Sequence, residues 1–256
     1  MSVELAVSLI SAAVALGSAA LTVLLGARAA KERLQLQSEI EEQRAARAKQ
    51  EERQNLMSRV RDPVLWAAFD LQSRIYNIVA QRLLIVYLIR GTVEQRAYVQ
   101  RNTLFLFGQY LAWMEIIRRG VHFLDLGDKR ENREVVNQFS KISGILNSDG
   151  FRDALFCIFR GDQRAIGEIM IDAPVDGELS CIGYAEFCVK SDTDPSFAQW
   201  FIPLSRDIGQ LAGDGQWHPR LVALQNSLVD LINLLDPESV RFPDRHRSKL
   251  QEVAAD

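Results

Sequence analysis

Hydrophobic and polar residues follow three different rhythms along this chain. From Leu5 to Ala27 no ionisable side chain interrupts a mixed run of Leu, Val, Ala and Ser. A helix of about 20 residues, rising ~1.5 Å per residue, crosses the ~30 Å hydrocarbon core of a bilayer, so the run is long enough to span one. From Arg28 to Arg61 the composition shifts to Ala, Glu, Gln and Arg, which are strong helix formers, and contains neither Gly nor Pro. Its apolar seam through Leu36 and Ile40 continues into Gln43, Arg47, Gln50 and Gln54 before Met57. That interruption denies it the sustained repeat of a long coiled coil and predicts a mostly solvated helical stalk.

Beyond the stalk, apolar positions recur at helical spacing. Asp62-Pro63 reads as an N-cap followed by a first-turn proline, opening a helix through Val64, Leu65, Ala68, Leu71, Ile75, Ile78 and Val79. Leu83–Ile89 either extends it or forms a second piece before Gly91. Thr92 and Gln95 have capping-box spacing and open a helix to Gly120 whose apolar residues cover most of its surface, the mark of a central helix. Its run from Thr103 to Ile117 contains Gln109 and Glu115 and is bracketed by Arg101 and Arg118, so it is too short and polar for a second span. Asp128 with Glu131 opens a helix over Lys129 to Leu146.

Phe151 to Ile171 admits two readings: a hairpin around Arg160–Gln163, or a helix from Gln163 to Ile171 capped by Asp162. Propensity favours the helix. A short apolar segment follows to Val189. Asp194-Pro195 then starts a helix carrying Phe197, Phe201, Leu204, Ile208 and Leu211, kinked or divided at Pro203. Leu221, Leu224, Leu228, Leu231 and Leu235, spaced alternately by three and four, form the clearest amphipathic stripe, closed by Asp236-Pro237. The charged tail from Glu238 is expected to fray. The sum is an all-α chain: a transmembrane anchor over 1–27, a stalk over 28–61, a helical bundle over 62–237 and a tail over 238–256.

Composition narrows the function classes. With 48% hydrophobic and 25% charged residues the chain is not a disordered one. A net charge of −3, with no strongly basic region, offers nothing to a nucleic acid. The opening Met-Ser-Val-Glu lacks the basic stretch that begins a cleaved leader, whereas Arg28, Lys31 and Arg33 follow the uncharged run. The positive-inside tendency therefore puts the N-terminus outside and the C-terminus in the cytoplasm, with the lipid bilayer met through residues 5–27. Within that run Ala13, Gly17 and Ala20 form a small-residue stripe that permits close helix approach and self-association, although small residues are also simply tolerated in such a span.

Chemical motifs are sparse. Cys157, Cys181 and Cys188 have no zinc-like spacing and read as core thiols; His122, His218 and His246 are scattered, so no metal site is assigned. No nucleophile elbow, phosphate-binding loop or dinucleotide fingerprint is present, and no catalytic residue or cofactor is assigned. Arg160-Gly161-Asp162 matches an adhesion tripeptide, but a cytoplasmic placement gives it no partner. His122 with Asp125 is a weak acid/base pair that reads better as loop. The remaining candidate is an anion site at a helix N-terminus, where free N–H groups and the dipole attract negative charge. It groups Arg160, Asp162, Gln163 and Arg164, with Glu168 one turn along. Ion pairs between these arginines and neighbouring helices are the competing explanation.

The expectation is a single-pass membrane protein whose cytoplasmic helical domain binds or scaffolds a protein partner or self-associates. A membrane-tethered enzyme acting on a phosphate- or carboxylate-bearing substrate is the rival reading, and an oligomerising membrane effector a third.

Overall fold

The structure, a computed structural model, describes residues 31, 36–37, 39–48, 50, 59–120, 129–151, 154–172, 179–214 and 218–251. The uncharged run over 5–27, with Ala13, Gly17 and Ala20, lies outside the described residues, as do His122 and Asp125. Met1–Asn55 and Leu56–Asp256 form separate compact units. In the first, every described residue is helical and exposed, Leu36 and Ile40 included, as a solvated stalk requires.

The second unit is built almost wholly of helices, in keeping with the all-α expectation: α1 (59–79), a π-helical turn (Ile85–Ile89), α2 (Val93–Gly120), α3 (Lys129–Asn147), α4 (Arg160–Ile169), α5 (Tyr184–Thr193), α6 (Pro195–Ala198), α7 (Ile202–Asp214) and α8 (Pro219–Leu235). A two-residue antiparallel pairing, Ile171–Asp172 against Ser180–Cys181, is the strand structure among the described residues. It pairs Ile171, the last residue of the hairpin considered from sequence, with Cys181 beyond that segment, and residues 160–169 are helical, so the hairpin around Arg160–Gln163 does not form. Among the described residues no helix is long and apolar enough to cross a membrane, and the Thr103–Ile117 stretch is instead packed in the core.

Local chemistry sets several helix ends as the sequence predicts. At α2 the Thr92 N–H donates to Gln95 Oε1 at 3.0 Å and the Gln95 N–H returns to Thr92 Oγ1 at 3.3 Å, a closed capping box. Asp194 caps α6 by accepting from the Ser196 and Phe197 N–H groups. The helix at Pro203 is divided, with a 3₁₀ turn over Gln199–Phe201 before α7. T-shaped ring contacts join Phe105 of α2 to Tyr184 and Phe187 of α5, and Phe187 to Phe197 and Phe201, a geometry aromatic pairs favour.

Three expectations are corrected. Asp62-Pro63 does not start α1, because residues 59–62 are already helical. Pro63 withholds one N–H from the ladder, but Val60 is buried, Arg61 Nε donates to the Leu235 carbonyl at 2.7 Å and Asp62 pairs with Arg241 at 2.6 Å, so tertiary contacts hold the chain helical ahead of it. Residues 184–189, read as part of a short apolar segment, open α5, with Phe187 as its buried anchor. The tail does not fray through 250. Phe242 stacks on Phe69 at 3.7 Å, and Leu250 is buried with its N–H donating to Gln225 Oε1 at 3.0 Å.

Helix α8 is also more central than its leucine stripe implies. Eleven of its seventeen residues are buried, among them Arg220, Gln225 and Ser227 as well as every leucine of the stripe, so it is packed around most of its circumference and against α3.

Candidate functional site

Two glycines set the approach of α4 to α2. A Cβ on Gly167 would lie 2.6 Å from the Leu111 carbonyl oxygen and 2.8 Å from Glu115 Cβ, and one on Gly108 would meet the Met170 side chain at 3.0 Å. Rising sequence number on α4 thus meets falling number on α2, and the two helices run antiparallel in close contact. Side-chain bulk at Gly167 is incompatible with this backbone spacing.

The start of α4 is tied to the end of α3. The Arg160 N–H donates to Asn147 Oδ1 at 3.1 Å, and buried Gln163 donates through Nε2 to the Ile158 carbonyl at 2.7 Å and the Ser143 carbonyl at 3.1 Å while accepting from Ser143 Oγ at 2.7 Å. Arg220, 1% exposed, donates to the Ile145 and Ser148 carbonyls, both at 2.8 Å, and to the Leu155 carbonyl at 2.9 Å. A cation there answers carbonyls that the helix end leaves free. The three-helix junction is therefore fixed by hydrogen bonds on its floor.

Above that floor α2, α3 and α4 enclose an open cavity of about 340 Å³. Its wall is largely apolar, from Leu111, Met114, Ile117, Val136, Phe139 and Leu146. Arg118, Arg160 and Arg164 also line it. Tyr110 contributes from α2; it is 2% exposed, and its hydroxyl has no hydrogen-bond partner among the described residues. Burial pushes that hydroxyl well above the ordinary tyrosine range, so it is a neutral donor.

The charges divide into spent and unspent. Glu115, 3% exposed, accepts from both Arg118 and Arg119, the latter at 2.7 Å. Burial pushes its carboxyl up, yet the two arginine hydrogen bonds outweigh burial and hold it below the ordinary glutamate value. Arg119 also pairs with Glu168 at 2.8 Å. Arg160 and Arg164 are exposed, and neither guanidinium has an ion-pair partner among the described residues.

The five residues nominated from sequence are thus only partly brought together. Arg160, Gln163 and Arg164 line one cavity, with Gln163 held in internal hydrogen bonds. Asp162 is not the helix cap: α4 begins at Arg160 behind extended Phe159, and no side chain caps it. The helix starts earlier because Asn147 takes the first N–H, which leaves Asp162 in the first turn beside a separate cavity of about 270 Å³ with Cys157, Trp200 and Asp207. Glu168 belongs to Arg119. Sequence reasoning missed Tyr110, for which no local signal exists, and the Glu115–Arg118–Arg119 cluster. The cluster was visible as an acid three and four residues before bases, a spacing that places the partners on one helix face.

The three cysteines are free and half-buried, and burial pushes the Cys181 thiol up to about 12, which removes its nucleophilic form. Among the described residues no group of His, Cys, Asp and Glu could hold a metal ion. No family model, curated protein or solved structure matches the chain.

Proposed function

We propose that this chain is a single-pass membrane protein, N-terminus outside, whose helical unit works in the cytoplasm as a binding module for an anionic ligand. The anchor rests on the uncharged run over 5–27 and the basic residues behind it. The binding role rests on one observation: Arg160 and Arg164 line a cavity whose carboxylate, Glu115, is held by Arg118 and Arg119, which leaves the two arginines without ion-pair partners among the described residues. A cation left open beside an apolar hollow is positioned for a ligand's charge rather than for the fold's. The rival enzyme reading relied on Glu168 beside these arginines, whereas Glu168 pairs with Arg119 instead.

Phosphate- and carboxylate-bearing compounds, tested on the full chain in neutral-lipid nanodiscs, should include some that raise the melting temperature with occupancy, since a ligand that binds only the folded state stabilises it. Replacing both arginines, Arg160→Gln with Arg164→Gln, should remove the shift and leave ligand-free melting unchanged. No shift with any anion, or a shift indifferent to the double replacement, would sink the binding role. A cytoplasm-only reporter fused to Asp256 tests the anchor separately, and a well-expressed silent fusion would refute the orientation.

A further inference from the structure

The composition of the cavity says more about its ligand than that it is negative. A small hydrophilic anion needs donors on several sides, whereas Leu111, Met114, Ile117, Val136, Phe139 and Leu146 offer it none. An apolar wall of this kind rewards an apolar body. Arg160 and Arg164 line the same cavity, exposed and without ion-pair partners among the described residues, so the hollow offers positive charge and apolar area side by side.

We infer that the cavity binds a single-chain amphiphilic anion, with its charged head between Arg160 and Arg164 and its apolar body along the α2–α3 wall. This rests on the binding role proposed above and names the ligand class for the same site. Head and tail are recognised by different physics: charge-assisted hydrogen bonds at exposed guanidinium groups, and removal of methylenes from water along the wall. Neither alone selects this ligand. A simple alcohol lacks the head, and inorganic phosphate lacks the body.

The test uses the full chain in neutral-lipid nanodiscs, with empty discs as the partition control. The n-alkyl carboxylates from butyrate to decanoate, the matching alkyl phosphates, alkyl alcohols and ω-hydroxy carboxylates would be titrated. Affinity should rise about four-fold per added methylene until the cavity is full, and alcohols should bind at least about ten-fold more weakly than anions of equal length. Comparing carboxylate with phosphate heads identifies which anionic class is preferred. An ω-hydroxyl should weaken binding relative to the plain acid of equal length, because it carries a polar group along an apolar wall.

Affinities independent of chain length but lost in the Arg160→Gln/Arg164→Gln double variant would overturn the amphiphile and leave the anion module standing. Chain-length dependence indifferent to the arginines and to the head group would mean apolar partitioning, and would overturn both. An ω-hydroxyl that strengthens binding at every length would overturn the placement of the apolar body.

Discussion

Beneath the C-terminal segment, buried polar groups answer one another, whereas between α2, α3 and α4 the Tyr110 hydroxyl and the Arg160 and Arg164 guanidinium groups have no partners among the described residues. In the first region Gln225 Nε2 donates to Gln72 Oε1 at 3.0 Å and to the Ser248 carbonyl at 2.9 Å, while Gln72 donates to the His246 carbonyl at 3.1 Å. Asp236 accepts from the Val240, Arg241 and Phe242 N–H groups and pairs with buried Arg247. Asn226 Oδ1 and Arg247 Nε are the exceptions in that network. Desolvated polar groups that close on each other hold an irregular segment in one conformation. Those left open beside an apolar hollow do nothing for the fold, and that is the argument for a ligand there.

If the first region is structural, cutting it should be expensive. Asp236→Ala removes the carboxylate from three backbone N–H groups and from buried Arg247, which keeps its bonds to Asn233 Oδ1 and the residue 236 carbonyl, so denaturation of the full chain should show a loss of about 3 kcal/mol. Burial pushes the Asp236 carboxyl up, but the three N–H groups and Arg247 outweigh it and hold the carboxyl below the ordinary aspartate value. A lowered folded value means that this stabilisation is complete above about pH 4, the unfolded value, and is lost as pH falls through the folded one. Wild type should therefore lose stability more steeply than Asp236→Asn in that acid window. Parallel acid profiles for the two would show that the carboxylate is not what holds the segment.

The second region depends on how closely its helices approach. Gly167→Ala forces a Cβ against the Leu111 carbonyl and Glu115, and overpacking of this kind costs about 1–3 kcal/mol. It should also push α4 outward, so ligand affinity falls together with stability. A neutral substitution would mean that α4 is free to shift and that the cavity has no fixed width.

Comparing the two regions also shows what the sequence could carry. The Thr92–Gln95 box, the Asp194 cap and the leucine stripe of α8 were legible because each is decided within a few residues of chain. The C-terminal segment was not, since its partners Gln72, Phe69 and Asp62 lie more than 170 residues away and a charged sequence looks the same folded or frayed. The anion site was half legible. Arg160 and Arg164 are one turn apart and were found together, but Asp162 was misplaced because Asn147, from another helix, sets where α4 begins. The hollow itself depends on Gly167 lying against Leu111 and Gly108 against Met170 across two helices, which no local pattern encodes.

A milder cut in the first region is Asn226→Ala. Sequence periodicity puts Asn226 off the leucine stripe and predicts little effect, yet its Nδ2 donates to the Leu250 carbonyl at 3.1 Å. Such a bond contributes roughly 0.5–1.5 kcal/mol, and removing the unpartnered Oδ1 offsets part of that. A loss of about 0.5 kcal/mol, with faster amide exchange confined to residues 247–251, is the expected outcome. Exchange that quickens throughout α8 would mean that Asn226 supports the helix rather than the segment.

Tyr110→Phe carries the smallest change, and its sign is what matters. In the closed region, deleting a buried polar atom strands its partner and destabilises. At Tyr110 there is no partner to strand among the described residues, and the ring that fills the α2 wall is retained. Removing a desolvated hydroxyl that bonds to nothing relieves a penalty, so the ligand-free chain should be unchanged or more stable by up to about 1 kcal/mol. A loss of about 1 kcal/mol without ligand would show that the hydroxyl is satisfied within the fold, and would place Tyr110 on the structural side of the comparison with Gln225 and Asp236.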